Sequence, residues 1–172
     1  MIPDPNGGAK DTETLLNDGK VVALGGPEGA TTSELYGNVF DGNFGTKLCT
    51  RDMTKYLTFQ IADDYYNETI QITSFSIVGA NDDASDKGKI RVLSKFRLEG
   101  CYDGGDDDAD WKTVLEVDNR DTFGEILNYG ERHYELTEAV NYKYYRLVVL
   151  DPEADAKSEI YQLSEILVYE TK

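Results

Sequence analysis

The chain has 172 residues, with 33 acidic against 17 basic side chains, a formal net charge of -16 and a pI near 4.3; a surface of that sign repels phosphate backbones and anionic headgroups, which argues against nucleic acid and membrane lipid as partners. The length fits one domain, and a 40% hydrophobic, 11% aromatic composition carries enough apolar surface to offset the chain entropy that keeps polar sequences disordered. No apolar run approaches the roughly 18 residues of a membrane span, and Met1-Ile2-Pro3-Asp4-Pro5 lacks the basic and apolar regions of an export signal, which suits a domain belonging to a larger multidomain protein.

Residues 1–19 carry Pro3, Pro5, Gly7, Gly8 and Gly19 among polar neighbours. They read as a linker or N-terminal extension with one short helical turn near Thr14-Leu15-Leu16, and the folded domain is expected over 20–172. From there apolar residues recur with period two. Leu57, Phe59 and Ile61 alternate with polar neighbours, which predicts a strand with one buried face. Ile70 and Ile72 lie in one phase and Phe75 and Ile77 in the other, so a bulge or a break between strands is expected around Thr73-Ser74. Further strands are predicted at 96–99, 111–117, 133–136, 144–150 and 163–169, most of them short and rich in β-branched or aromatic residues.

Turn clusters such as Gly79-Ala80-Asn81-Asp82-Asp83 and Tyr102-Asp103-Gly104-Gly105-Asp106 separate these runs, and no apolar stripe at helical spacing persists over three turns. Many short strands at near-regular spacing, without intervening helices, predict an all-β fold: an antiparallel β-sandwich or jelly roll with loops gathered at its ends. Cys49 and Cys101, far apart in sequence, make neither a disulfide framework nor a zinc site, and a single bridge between them stays open.

Three ordered stretches carry a family resemblance over most of residues 34–170. The first is Asn38-Val39-Phe40-Asp41-Gly42-Asn43-Phe44-Gly45-Thr46-Lys47-Leu48-Cys49, with Leu48 where Trp is usual. The second runs from Phe75-Ser76-Ile77-Val78-Gly79-Ala80-Asn81-Asp82-Asp83 through Phe96-Arg97-Leu98-Glu99-Gly100-Cys101-Tyr102-Asp103-Gly104 to Asp110-Trp111-Lys112-Thr113-Val114. In it, Arg91-Val92-Leu93 stands where an Arg-Asp-Pro element is usual. The third joins Asp118-Asn119-Arg120-Asp121-Thr122-Phe123, Tyr142-Lys143-Tyr144-Tyr145-Arg146-Leu147 and Gln162-Leu163-Ser164-Glu165-Ile166. In this order and spacing they resemble the discoidin-like domains related to coagulation factor type C modules and the family 32 carbohydrate-binding modules, which have a galactose-binding-domain-like sandwich fold.

Hard cations take several oxygen ligands on a loop that turns back on itself. The loop from Asp41 to Thr46 offers a carboxylate, a hydroxyl and inward carbonyls, with two glycines permitting positive φ. The resemblance implies a structural calcium ion held by the carbonyl of Asn38, the Asp41 side chain, the carbonyls of Asn43 and Thr46, and Glu165. Without metal the same residues make an Asp-Gly turn with a surface glutamate. The acidic run 103–110 lacks the alternation of an EF-hand loop and reads as a solvated hairpin tip.

Sugar recognition needs an aromatic face for the C–H surface of the ring and planar polar groups for paired hydroxyls. Asn81, Asp82, Arg91, Arg120, Phe123 and Tyr161 are the candidate ligand-binding residues on predicted loops. Tyr161 precedes the last strand, where related modules often place a stacking aromatic. Tyr65 and Tyr66 also lie on a predicted loop, where packing at the sandwich edge competes with a platform role, and Arg120 competes as a partner of nearby carboxylates. His133, the only histidine, reads as a structural or surface residue, and Trp111 as a core residue.

The resulting expectation is a non-catalytic carbohydrate-binding module of an extracellular or cell-surface bacterial protein, binding glycan through loops at one end of the sandwich. The alternative is a protein-binding adhesion domain or structural spacer of the same fold. Catalysis is disfavoured by the lone histidine, the lack of a nucleophile motif and the lack of a second lobe to close over substrate.

Overall fold

The computed structural model describes residues 12–93, 95–104, 110–118, 125–151 and 160–171. Eleven strands occur among them: β1 (Glu13–Leu15), β2 (Val21–Gly25), β3 (Leu48–Thr50), β4 (Leu57–Ile61), β5 (Ile72–Val78), β6 (Lys95–Cys101), β7 (Lys112–Asp118), β8 (Glu131–Val140), β9 (Tyr144–Asp151), β10 (Tyr161–Leu163) and β11 (Glu165–Thr171). A 3₁₀ helix spans Tyr36–Phe40, and one helical turn, α1, spans Asp86–Lys89, its first amides capped by the Ser85 hydroxyl at Gly88 N. Among the described residues no helix is long and apolar enough to cross a membrane.

The strands form a four-stranded sheet in the order β1-β11-β5-β8, a five-stranded sheet in the order β2-β4-β9-β6-β7, and a two-stranded ribbon of β10 with β3. Every ladder is antiparallel. The architecture is thus an antiparallel β-sandwich, as the period-two patterning predicts.

The core lies between the two large sheets. Leu57, Phe59 and Ile61 on β4 are fully buried, as their alternation requires. Phe75 and Tyr134 from the four-stranded sheet meet Tyr145 and Phe96 from the five-stranded one, edge to face, with ring centroids 5.7 and 5.9 Å apart. Burying each such ring stabilises the fold by roughly 1.5–3 kcal/mol, so the aromatic layer is a main source of cohesion. The phase slip in the sequence is a bulge within one strand: β5 shifts register against β8 between Ile72 and Ser74. The shift lets Ile72, Phe75 and Ile77 all enter the core and turns Ser74 and Ser76 to the opposite face.

Several expectations are corrected. The stretch 1–19 is not linker throughout, since Glu13–Leu15 pairs with Thr171–Tyr169 of β11 as a strand and Leu16 is wholly buried. The helical turn expected there is that strand, held by its antiparallel pairing with β11. Trp111 is not a core residue. It is half-buried on the outer face of the five-stranded sheet, 4.3 Å from the Arg146 guanidinium, whose own Nε donates to Glu99 at 2.6 Å. Cys49 and Cys101 are buried and unbridged.

Candidate functional site

Loops meet at one end of the sandwich, where the β3–β10 ribbon closes it. Gln162 in β10 is the fixed point: its backbone amide donates to the Arg91 carbonyl at 2.9 Å, tying the segment after α1 to the ribbon. Its side-chain nitrogen donates to Asp82 at 2.9 Å and to Asp83 at 2.7 Å, while its side-chain oxygen accepts from Lys47 at 3.0 Å. Lys47 also pairs with Asp82 at 3.0 Å and lies 3.8 Å from Glu34. Residues from four separate stretches therefore share one polar cluster.

The two aspartates differ because their surroundings differ. Burial pushes the Asp82 carboxyl up, but hydrogen bonds from Lys47 and Gln162 outweigh it and hold the group below its ordinary value. Asp83 is fully buried, and burial lifts it above the ordinary value despite the bond from Gln162. Asp82 is thus the charged, partly open member and Asp83 the structural one, accepting the Ala80 amide at 2.9 Å inside its own turn. Arg91 is half-buried, and its Nε has no hydrogen-bond partner.

Glu34 joins this cluster to a groove on its far side, of about 520 Å³, lined by residues 26–32 with Leu35, Tyr36 and Lys55. The groove walls are held by the Ala30 amide on the Cys49 carbonyl (2.6 Å) and the Thr50 hydroxyl on the Glu28 carbonyl (2.6 Å). An aromatic ring, an ammonium group, a carboxylate and two threonine hydroxyls line it, a combination suited to a polyhydroxylated ring.

The Asp41 loop lies at the same end. Gly42 takes φ +72°, which favours glycine there. The loop closes on itself: Asp41 accepts the Asn43 amide at 2.8 Å and the Thr46 hydroxyl at 2.5 Å, and the Asn43 carbonyl accepts the Thr46 amide at 3.1 Å. The Asn38 carbonyl accepts the Asp41 amide at 3.3 Å, and its side chain holds the Lys47 carbonyl at 2.8 Å. Glu165 faces this loop across a cavity of about 370 Å³ that it shares with Asp41. It is fully buried, and neither carboxylate oxygen has a hydrogen-bond partner.

Burial, followed by the nearby Asp41 carboxylate, pushes Glu165 up to about 8. A buried carboxyl beside a second one is what a cation would relieve. The donors are all oxygen, as calcium takes, so the residues fit the ion that the resemblance implies.

Of the sequence-predicted ligand residues, Asp82 and Arg91 meet around Gln162, and Asn81 is exposed on the same turn. Arg120 and Phe123 lie outside the described residues. Tyr161 does not stand at the surface. It is 1% exposed, a core side chain on β10, and burial raises its hydroxyl well above its ordinary value. Residues alternate across the ribbon, so Gln162 takes the polar side and Tyr161 the core.

Tyr65 and Tyr66 pack at the sandwich edge: Tyr65 donates to Glu170, and Tyr66 donates to the Asn141 carbonyl at 2.8 Å. Lys47, Gln162, Glu34 and the groove at 26–36 escaped the sequence reading. The signal for Lys47 was its place directly after Thr46, and for the groove the turn-rich run from Gly25 to Ser33.

Searched by sequence, neither a protein-family model nor a curated protein matches the chain. Solved structures do match by fold. The family 32 module of C. perfringens NanJ in complex with galactose superposes with TM-score 0.65 at 13% identity, covering 92% of this chain and 99% of that one. A family 32 module from a family 31 glycoside hydrolase of Clostridium perfringens gives 0.67 at 14%, covering 92% and 95%. A fragment of a putative chitobiase from Bacteroides thetaiotaomicron gives 0.67 at 11%, covering 92% and 93%. The chain therefore has the discoidin-like β-sandwich fold of the family 32 carbohydrate-binding modules.

Proposed function

We propose that this domain is a non-catalytic carbohydrate-binding module of an extracellular or cell-surface bacterial protein, working as one part of a larger chain. The fold it shares with family 32 modules, one of them solved with galactose, carries the reading. The loop end supports it. Asp82 offers a charged acceptor held in place by Lys47 and Gln162, Arg91 offers a half-buried guanidinium, and Asn81 offers an exposed amide. Such groups bond paired hydroxyls. With Tyr161 withdrawn into the core, Tyr36 in the groove is an aromatic surface that can meet a sugar ring.

We assign the Asp41 loop and Glu165 a structural calcium ion. Bound there, calcium neutralises two carboxylates that otherwise face one another. Its protein ligands hold the loop from which Lys47 extends into the ligand end, so the metal acts on recognition by positioning rather than by contact.

Affinity should be weak, because a few polar contacts and one ring must offset the cost of association. The test is a glycan-array screen of the whole chain, in calcium and in chelator, beside Arg91→Ala and Tyr36→Ala variants. Binding to one glycan class that is lost in both variants supports the reading. Silence across the array with a folded protein favours a protein adhesion domain or spacer of the same fold.

A further inference from the structure

The four-stranded sheet carries, on the face turned from the core, a second donor cluster of different chemistry. Glu13 on β1 and His133 and Glu135 on β8 bring one carboxylate oxygen, one ring nitrogen and another carboxylate oxygen within 4.8 Å of one another. His133 is 5% exposed. Its Nε2 lies 3.9 Å from Glu13 Oε2 and has no hydrogen-bond partner. A buried ring nitrogen aimed at two carboxylates without a bond needs an explanation.

The bonding of the other ring nitrogen supplies one. His133 Nδ1 is 2.8 Å from the Ser76 hydroxyl, which lies 2.8 Å from Glu131 Oε1 as donor. A hydroxyl has a single proton. Once Ser76 gives it to Glu131, Ser76 can only accept, so the proton between Ser76 and His133 belongs to Nδ1. In the neutral ring this leaves the Nε2 lone pair facing Glu13 and Glu135, an arrangement that repels unless a cation stands between them. Glu13 is itself oriented, accepting from Ser74 at 2.8 Å and Thr73 at 3.2 Å. A metal-bound histidine characteristically has its far nitrogen fixed by a carboxylate or a hydroxyl relay, and its partner carboxylates are hydrogen-bonded in turn.

We propose that Glu13, His133 Nε2 and Glu135 form a binding site for a divalent transition-metal cation of the zinc class. Imidazole nitrogen with carboxylate suits zinc, copper or nickel, whereas calcium takes oxygen alone, so this site and the Asp41 loop select different ions. Tetrahedral zinc at about 2.0–2.1 Å from each ligand puts ligand atoms about 3.3 Å apart, and the fourth position stays open to water. The donors must therefore draw together by up to about 1.5 Å, a closure open to the exposed Glu135 side chain. The ion would tie β1 at one edge of the sheet to β8 at the other, across β11 and β5.

The test titrates ZnCl2 into the chelator-stripped full chain in excess calcium, which occupies acidic sites elsewhere. Binding is followed by calorimetry, by thermal unfolding and by nitrogen NMR of the imidazole. With one histidine in the chain, the ring signals are unambiguous. One equivalent should bind, raise the unfolding temperature and shift Nε2 rather than Nδ1. Glu135→Ala, on an exposed side chain, should weaken zinc at least tenfold and leave the fold intact, and His133→Gln should abolish the saturable binding.

Equal zinc affinity in the parent and Glu135→Ala would overturn the proposal. So would an Nε2 that stays protonated and unshifted at saturating zinc, which would make the cluster a histidinium ion pair. Loss of glycan binding with zinc binding retained, or the reverse, separates this site from the carbohydrate reading.

Discussion

Gln162 joins two aspartates that burial treats differently: one side-chain nitrogen reaches the open Asp82 at 2.9 Å and the fully buried Asp83 at 2.7 Å. Removing a donor from a buried carboxyl leaves that group desolvated and unpaired, at a cost of about 1–3 kcal/mol. Gln162→Ala is therefore expected to lose about that much stability in urea unfolding and to loosen the loop carrying Asn81 and Asp82. Gln162→Glu, which adds a third carboxylate, should lose more. A Gln162→Ala protein as stable as the parent would show that this amide does not hold the end together.

Tyr161 and Arg91 separate packing from recognition. Tyr161→Ala removes a ring from the core and should cost about 3–5 kcal/mol. Arg91→Ala should leave the unfolding midpoint within about 0.5 kcal/mol of the parent and weaken glycan binding roughly tenfold or more, as expected for a lost charged hydrogen bond. Denaturant melts and binding isotherms on the same two variants check both halves.

Calcium should raise the unfolding temperature. At about 100 times its dissociation constant a ligand adds about 2.7 kcal/mol, which for a domain of this length amounts to about 5–10 °C. Asp41→Asn should abolish the shift, with little change in chelator. A chelator-treated parent that melts where the calcium-loaded one does would remove the ion from the loop.

Glu165 gives the metal-free protein a pH signature. Its carboxyl is raised from an ordinary 4.5 to about 8 in the fold, so the folded state holds a proton that the unfolded chain gives up. The stability tied to that proton is complete below about pH 4.5 and is lost as pH rises through about 8. In chelator, stability should fall over this window, and Glu165→Gln should flatten the fall. In calcium the slope should reverse, since protons then compete with the metal as pH drops.

What the sequence showed, and what it hid, follow from the range of the interactions. Leu57, Phe59 and Ile61 announced a strand because period two is a local property, and the slip at Thr73 announced the bulge for the same reason. The Glu13–Leu15 strand was hidden because three residues carry little periodicity and its conformation is set by β11. Asp82 and Arg91 were found on turn chemistry, but the residues that gather them, Lys47 and Gln162, lie far away in the chain and met only through the β3–β10 ribbon. Tyr161 was misplaced because a residue opening a strand can face either way until its register is known. Glu13 and His133 meet only through side chains leaning across the sheet, which no spacing rule shows.

Cys49 and Cys101 are unbridged, 1% exposed, and sit in different parts of the sandwich, one in the β3–β10 ribbon and one in the five-stranded sheet. Burial, then the charge of Glu34, raises the Cys49 thiol and keeps it unreactive in the fold. The two sulfurs act as paired clocks. A thiol-trapping reagent reaches each only when its own part opens, so equal labelling rates would mark the sandwich as one cooperative unit and unequal rates would time the ligand end separately from the body.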